Sequence, residues 1–304
     1  MRWCSTSLLV GVLFLLGAAE PDSGSWQVTA ASLWGGAGDE AGEAVAVDAQ
    51  GVALIGLPST GLLPTGVPLT DLGKGGLLLR LDTLLGAPLG VTSLPGPVTA
   101  VAVAGDGSVF VAAGALFKLD PAGTTVLWSG GPAGRRIFPD ATGGAWVWDG
   151  GTLTQVGDAG KILASRPAKG RDVAVDVAGG RFFTCGFNAG NSKKSGNPVH
   201  VPWIRAYALA DGAQQWHMWN FTPTQVDEVS DMADSHPQRL CVGLDGKLYM
   251  FGDSDGGNTA YRHDPFILGK DLGPALAGIA FIETWKAFTS CRLLFACCIE
   301  SASG

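Results

Sequence analysis

Charged residues are scarce in this sequence, and it carries no marked excess of basic residues. Asp, Glu, Lys and Arg together make up 15% of the 304 residues, and the net charge is −7. A surface that binds nucleic acid needs clustered lysine and arginine, so the composition excludes a nucleic-acid partner. An acidic balance of this size favours solubility and does not identify a partner.

Cysteine is also rare, and its spacing excludes the common metal and haem motifs. None of the six cysteines forms a C-x-x-C pair, and removal of an N-terminal signal would leave five, which cannot all pair within one chain. We expect them to be buried as small apolar side chains. A single disulfide between Cys185 and Cys241 is the alternative in an oxidising compartment. Gly-x-Ser-x-Gly and phosphate-loop motifs are absent too, so no common hydrolase or nucleotide-binding signature applies.

Long apolar runs are missing, and the one short run stands at the N-terminus. Arg2 precedes an apolar stretch over 8–16, and small residues at 17–19 follow it. This order is typical of a secretory signal cleaved after Ala19, because about nine to twelve apolar residues are too few to cross roughly 30 Å of hydrocarbon. We therefore expect residues 1–19 to be removed, and the mature chain to be soluble, without a membrane span, and secreted or periplasmic.

Glycine, by contrast, is abundant. The chain has 46 Gly and 17 Pro, yet 46% of its residues are hydrophobic, which separates it from disordered sequences rich in these two residues. Frequent Gly together with Val, Leu and Ala predicts many short strands joined by tight turns. The composition therefore indicates an all-β fold.

One hairpin pattern recurs along the chain. Alternating small and apolar residues lead to Asp, then to Gly, and then to a second apolar run. Asp and Gly supply the turn, and the flanking residues supply two strands. Four clear copies and a weaker one, the third in chain order, occupy 44–56, 101–111, 137–148, 173–183 and 240–251.

A second hairpin follows most copies of the first. It also runs strand, turn, strand, and it supplies the outer half of a repeat. Two hairpins make a four-stranded antiparallel sheet, which is one blade of a β-propeller. The copies begin at Leu77, Leu116, Thr152 and Ile204. Uneven spacing of the first hairpins, which are 34 to 69 residues apart at their Asp residues, predicts insertions in two blades.

The two ends of the chain suggest how the ring closes. The run 292–304 resembles a third strand, and 26–34 resembles the missing fourth, so their pairing would complete the last blade and remove an open edge. An open ring in a chain altered near its end is one alternative, and a terminal helix over 279–298 is another.

We therefore predict a single β-propeller domain over residues 25–304, with about five blades, or six or seven if the blades are irregular. N- and C-terminal strands would close the ring. The predicted blades occupy 41–97, 98–134, 135–168, 169–222, and 236–304 together with 25–36.

The entry to the first blade carries a family resemblance. Residues 33–41 read Leu-Trp-Gly-Gly-Ala-Gly-Asp-Glu-Ala and lead into the hairpin at Asp48, followed by the strand 77–82. This segment resembles the beta-propeller repeat of secreted bacterial proteins, in which a Leu-Gly-Gly-x-Gly-x-Asp entry precedes an Ala-x-Asp-x-x-Gly hairpin. It departs at Val52-Ala-Leu, where the repeat usually has Asn-x-Tyr. The resemblance implies a secreted bacterial propeller and transfers no catalytic residues.

A Gly-rich segment, 252–264, offers a candidate calcium site. Oxygens of Asp253, Asp255 and Asn258 could bind Ca²⁺, which takes six to eight oxygen ligands. The segment lacks the distal bidentate Glu of a calcium loop, and an interblade turn formed by Asp and Asn is the favoured alternative. No other cofactor is expected.

A polar insertion over 188–203 is the candidate binding loop, because long loops on rigid scaffolds often carry function. A surface insertion with a solvated lysine pair is the alternative. The candidate ligand-binding residues of this loop and of the Gly-rich segment are Lys193, Lys194, His200, Trp203, Arg262 and His263.

The four histidines, His200, His217, His236 and His263, show no i, i+4 spacing, and His236 and His263 look like loop positions. We assign no catalytic residue. Trp34, Trp128 and Trp216 recur near one blade position, which favours packing between blades over stacking on a sugar or quinone.

These patterns favour a non-enzymatic, monomeric exported scaffold that binds an extracellular or periplasmic protein, a glycan or an envelope component through one face of the ring. The first alternative is a lyase or hydrolase with His and Asp gathered at the central channel. The second is a truncated family member without its own activity.

Overall fold

The computed structural model describes residues 42–58, 66–82, 88–191, 198–219, 235–243, 247–254, 264–271 and 279–284. Every regular element within these ranges is a β-strand, so the predicted all-β class is confirmed. Among the described residues, no helix is long and apolar enough to cross a membrane.

The described strands are numbered here in chain order. They are β1 (Ala44–Val47), β2 (Val52–Leu57), β3 (Leu69–Asp71), β4 (Gly76–Asp82), β5 (Pro88–Leu94), β6 (Val98–Val103), β7 (Val109–Ala113), β8 (Leu116–Leu119), β9 (Val126–Gly130), β10 (Arg136–Pro139), β11 (Ala145–Trp148), β12 (Thr152–Val156), β13 (Ile162–Pro167), β14 (Asp172–Asp176), β15 (Arg181–Asn191), β16 (Pro198–Ala208), β17 (Gln214–Trp219), β18 (Ser235–Val242), β19 (Lys247–Ser254), β20 (Asp264–Asp271) and β21 (Ile279–Thr284).

The described strands form five sheets, which we call sheets 1 to 5 in chain order. Sheet 1 has the order β1-β2-β4-β5, with the short β3 parallel to β5 at its edge. Sheets 2 to 5 are four-stranded and run in chain order, from β6 to β9, β10 to β13, β14 to β17 and β18 to β21. Consecutive four-stranded sheets of this kind are propeller blades, so the propeller architecture is confirmed.

Sheet 5 differs from the prediction in where its strands come from. Its third strand is β20 and its fourth is β21, so neither is supplied by 292–304 or by 26–34. Residues 279–284 form a strand, and the alternative of a helix there is wrong. Segments 26–34 and 292–304 lie outside the described residues, and closure of the ring stays a prediction.

The Asp and Gly residues of the repeat form the turns as predicted. Asp48 Oδ1 accepts hydrogen bonds from the backbone N–H groups of Gln50 at 2.9 Å and Val52 at 2.8 Å. Gly51 in the same turn has φ 78°, a left-handed conformation that Gly adopts without steric cost. The weaker copy folds in the same way, since Asp140 accepts from Thr142 N at 2.9 Å. The turn of the last copy, at Asp245, lies outside the described residues.

The chain divides into two compact units. The first contains the described residues up to Asp149 together with Thr154–Ala164, and the second contains Gly150–Leu153 together with the described residues from Ser165 onward. The first unit therefore contains sheets 1 and 2 and most of sheet 3. The second contains sheets 4 and 5.

Each unit has its apolar core between neighbouring sheets. In the first unit, Phe110 of sheet 2 and Val147 of sheet 3 share one buried cluster, and Trp128 packs against it. In the second unit, Phe183 of sheet 4 and Leu240 of sheet 5 share another, with Trp216 packed against that one. The prediction that tryptophans pack between blades is thus confirmed for Trp128 and Trp216, whereas Trp34 lies outside the described residues.

Candidate functional site

The hairpin of β15 and β16 is the longest in the described chain. Each strand has 11 residues, whereas β14 and β17 have 5 and 6. The pairing of β14 with β15 ends at Asp172 and Cys185, but β15 and β16 stay paired as far as Asn191 and Pro198. Residues 186–191 of β15 and 198–203 of β16 therefore form a paired extension beyond the end of β14, the edge strand of the same sheet.

Two histidines meet beside this extension. Nε2 of His236, on β18, lies 2.9 Å from Nδ1 of His200, on β16, and both side chains are half-buried. The ring of Phe187, on β15, contacts both imidazoles edge-on, with centroid distances of 4.4 Å to His200 and 5.3 Å to His236. The pair thus joins sheet 4 to sheet 5 within the second unit.

Polar groups continue the cluster towards solvent. The guanidinium of Arg171 lies over the Phe187 ring, 5.1 Å from its centroid, and its Nη2 is 3.3 Å from Oε1 of Gln238. Arg171 and Gln238 are both exposed. We refer to Arg171, Phe187, His200, His236 and Gln238 as the histidine cluster.

A buried carboxylate fixes the strand that carries His236. Asp172 is 0% exposed, and its Oδ2 accepts a hydrogen bond from the backbone N–H of Leu240 at 2.8 Å. Its Oδ1 lies 4.0 Å from Nη1 of Arg239. Because buried charges need such partners, Asp172 ties β18 to β14 at a defined position. The same strand, β18, carries His236.

One of the two facing nitrogens donates in this hydrogen bond, and the tautomers of the rings decide which one. In a hydrogen bond between two imidazoles, one ring donates an N–H and the other accepts it with a lone pair. Protonation of both facing nitrogens would bring two N–H donors together and break the bond. The pair can therefore pass a proton or offer lone pairs to a ligand, but it cannot donate from both facing atoms while it stays closed.

Trp203 lies in the sheet rather than on its surface. Its side chain is 7% exposed, and the guanidinium carbon of Arg205 lies 4.3 Å from its ring centroid. Gly186 stands opposite Trp203 in the register of β15 and β16. A Cβ at Gly186 would lie 2.4 Å from Cζ2 of the indole, so the indole packs where a side chain would otherwise stand. A ligand-binding role for Trp203 stays a prediction.

His217 stands apart from the histidine cluster. It pairs with Arg205 in the register of β16 and β17, and its side chain is exposed. Burial lowers its pKa, and the nearby charge of Arg205 lowers it further. His217 therefore serves as a reference histidine on the same sheet.

Most of the other predicted site residues cannot be compared with the structure. Asp253 belongs to β19 and pairs with His236 in the backbone register. The calcium site stays a prediction. The candidates that lie outside the described residues are Lys193, Lys194, Asp255, Asn258, Arg262 and His263.

Three expectations need correction or completion. His236 belongs to strand β18 and not to a loop, because Pro237 is accommodated at a register shift between Pro237 and Arg239. Cys185 and Cys241 are not joined by a disulfide; Cys185 is buried in the apolar core. The pairing of His236 with His200 was not foreseen, because the two residues come from different sheets and no local spacing connects them.

Five successive sheets, with apolar cores between neighbouring sheets inside each unit, define a propeller-type, all-β repeat protein. No family model matches the sequence, and no curated protein matches it either. Its likeness to known proteins is therefore one of structure.

Three solved structures illustrate that likeness. Hydrazine synthase from Kuenenia stuttgartiensis superposes with a TM-score of 0.53 at 10% identity, over 76% of this chain and 63% of that one. The chain thus spans less than two thirds of that protein. The WD40 domain of Neurospora crassa Pan2 has a TM-score of 0.46 at 12% identity, over 77% and 76% of the two chains. BamB from Moraxella catarrhalis has a TM-score of 0.40 at 14% identity, over 75% and 82%. At such identities a likeness concerns the fold alone.

Proposed function

We propose that this protein is an exported binding scaffold that recognises a protein, a glycan or an envelope component. The surface is the end of sheets 4 and 5 that carries the histidine cluster. The observation that supports this proposal is the extension of β15 and β16 beyond β14. A hairpin that extends past its sheet presents side chains that the sheet does not need for its own packing, and such segments often carry function.

The two ends of sheet 4 differ in how their polar groups are used. At the turn end, Asp176 accepts from Gly179 N at 2.8 Å and from Nε of Arg181 at 3.0 Å. Asp211 accepts from Ala213 N at 2.9 Å. These carboxylates stabilise their own turns. A partner would therefore find better hydrogen-bonding groups at the opposite end.

The chemistry of that opposite end favours a partner with carboxylate or hydroxyl groups. Arg171, Gln238 and Arg239 are exposed, and Arg171 lies over the half-buried ring of Phe187 while it donates to Gln238. Guanidinium groups bind carboxylates in two-point contacts, and an aromatic ring beside a cation suits the apolar face of a sugar. An acidic protein surface or an acidic glycan fits this combination.

Export is the part of the proposal that depends on the sequence. A basic residue, a short apolar run and small residues occur in that order over 1–19. They support secretion or transfer to the periplasm. The resemblance of residues 33–82 to a repeat of secreted bacterial proteins points in the same direction.

Photo-crosslinking tests the proposed surface. A photo-reactive amino acid replaces Ala189, which is exposed on the extended part of β15, or Ala210, which is exposed in the turn at the other end of sheet 4. Both proteins are irradiated with envelope extract and with a panel of acidic and neutral glycans. We expect a specific product from position 189 only, and its yield should fall at least about tenfold when Arg171→Ala is added, because the cationic contact is lost.

Two outcomes would contradict the proposal. Equal crosslinking from positions 189 and 210 would mean that the extended end has no special role. A product from 189 that Arg171→Ala leaves unchanged would mean that the histidine cluster does not contribute to recognition. Circular dichroism of each variant confirms that the fold is retained.

The meeting of His200 and His236 also favours a second candidate, a lyase or hydrolase. A general base must lie within hydrogen-bonding distance of the proton that it takes, and two adjacent imidazoles could relay one. Among the described residues, no group of three or more His, Cys, Asp and Glu side chains is placed to hold a metal ion, so a metal-dependent form of this candidate would rest on two protein ligands at most in that part of the chain. Turnover of an acidic polysaccharide that disappears in His236→Gln and persists in His217→Gln would favour this candidate over the scaffold.

A further inference from the structure

The geometry of the histidine pair points to a metal site. We propose that Nδ1 of His200 and Nε2 of His236 bind one divalent transition-metal ion, with copper(II) as the best fit. The proposal goes beyond the binding function described above, and it needs no partner.

The distance between the two nitrogens is compatible with one shared ion. With metal–nitrogen bonds of about 2.05 Å, nitrogens that are 2.9 Å apart subtend an angle of about 90° at the metal. This is the angle between neighbouring ligands in square-planar and tetragonal coordination, which Cu(II) and Ni(II) prefer. A tetrahedral ion such as zinc would need the nitrogens about 3.3 Å apart at the same bond length, so the distance alone does not separate the two ions. Copper(II) is the best fit because it binds nitrogen ligands most tightly among the divalent first-row metals.

The chemistry of the pair is also suitable. Neutral imidazole is a good ligand for copper and nickel. In the hydrogen bond the facing atoms point at each other, so binding requires the donor ring to move its proton to its other nitrogen and both rings to rotate until their lone pairs meet at the ion. The metal then takes the place of the hydrogen bond between the rings, and no proton is released.

The surroundings hold the two ligands in place. Phe187 contacts both rings, and Asp172 fixes β18 through Leu240 N. The ligands belong to strands of two sheets, so their position depends on the folded state and not on local sequence. An ion bound there would stabilise the contact between sheets 4 and 5, because it binds only the folded form.

Two protein ligands leave coordination positions open. Water would fill them in the free protein, and a carboxylate or amine of a bound molecule could replace that water. The exposed guanidinium of Arg171 lies next to Phe187 and adds positive charge. That charge favours an anionic group as the exchangeable ligand.

Copper titration of the untagged full-length protein, purified without metal-affinity resin, tests the site. We expect one equivalent of Cu(II) to bind, with nitrogen hyperfine structure in the electron paramagnetic resonance spectrum and a rise in melting temperature. His200→Gln and His236→Gln should each weaken binding at least about tenfold. His217→Gln, on the same sheet, should bind like the wild type. Binding should weaken as the pH falls, because the ligands must be deprotonated.

A second measurement uses the wild-type protein alone and so does not depend on the folding of variants. Diethylpyrocarbonate modifies accessible imidazoles, and mass spectrometry locates the modified peptides. We expect Cu(II) to protect His200 and His236 and to leave His217 reactive. Equal affinity in the wild type and both cluster variants, or equal protection of His217, would overturn the proposal and indicate adventitious binding only.

Discussion

Sheets 2 and 4 are built from the same four-stranded repeat but use it differently. In sheet 2, β7 and β8 have 5 and 4 residues, and a tight turn with Gly114 at φ 81° connects them. In sheet 4, the corresponding strands have 11 residues each and bring His200 against His236. The difference shows that one blade can serve packing alone while another carries an added polar surface on the same framework.

The buried charged residues of sheets 2 and 4, Lys118 and Asp172, also differ in what they contact. In sheet 2, the buried ammonium of Lys118 lies 3.6 Å from Asp106 Oδ2, and it donates to Gly143 O at 3.0 Å, a bond that links sheet 2 to sheet 3. In sheet 4, the buried Asp172 links to the backbone of sheet 5 instead. The first contact completes a turn of the neighbouring blade, whereas the second positions a strand that carries a candidate ligand.

The largest expected change in the free energy of unfolding tests the apolar core between sheets 2 and 3. Phe110 is 0% exposed and meets Trp128 in a T-shaped contact, with centroids 5.7 Å apart. Phe110→Ala should lower the free energy of unfolding by about 3–5 kcal/mol, because it leaves a cavity between sheets 2 and 3. Urea denaturation followed by tryptophan fluorescence and circular dichroism measures the change.

Leu127→Ala provides the matched control in the same sheet. Leu127 is 53% exposed on β9, so its truncation should change the free energy of unfolding by no more than about 0.5 kcal/mol. If Phe110→Ala cost no more than this control, the core between sheets 2 and 3 would not stabilise the first unit as we describe.

The next effect tests the anchor of β18 in the second unit. Asp172→Ala leaves the buried N–H of Leu240 without its acceptor, so it should lower the free energy of unfolding by about 1–3 kcal/mol. The control is Asp211→Ala, in which an exposed turn residue of the same sheet loses one hydrogen bond. Chemical denaturation compares the two. Equal losses would mean that Asp172 does not fix β18, and the position of His236 would then need another explanation.

The repeat itself could be predicted from the sequence, because its signal is local. Asp and Gly recur at fixed places within each hairpin, and the weaker copy at Asp140 forms the same turn as the clear copy at Asp48. Apolar alternation and the recurring Trp128 likewise indicated strands and packing between blades. Such short-range sequence patterns are sufficient to identify a propeller blade.

The histidine cluster could not be predicted in this way. His200 and His236 meet because β18 packs against β16, a contact between strands of different sheets, and β18 is also bonded to the buried carboxylate of Asp172 on β14. His200 was a candidate through the length of its insertion, whereas His236 was read as part of a loop. The source of the strands in sheet 5 was missed for a related reason, since polar residues at three- to four-residue intervals over 279–298 suit a helix as well as a strand.

The smallest expected effect concerns Asp106, a turn residue of sheet 2 whose carboxylate lies beside Lys118. The Ser108 side chain and backbone N–H donate to Asp106, which lowers the pKa of its carboxyl below the ordinary value of 3.8, and Lys118 adds to this effect. A lowered folded pKa means that the ionised form stabilises the fold. This contribution is fully present above pH 3.8 and is lost as the pH falls through the lower folded pKa.

Comparison of the wild type with Asp106→Asn between pH 2 and pH 7 measures that contribution. The wild type should be slightly more stable than the variant at neutral pH, and the difference should vanish at the acid end. Ser108→Ala should remove part of the difference, because its hydroxyl is the strongest of the donors. A difference that stays constant across the whole pH range would show that ionisation of Asp106 does not stabilise this turn. Lys118 would then be held by Gly143 O and the Phe110 ring without help from Asp106. The contrast between the charges of sheet 2 and the buried Asp172 of sheet 4 would weaken accordingly.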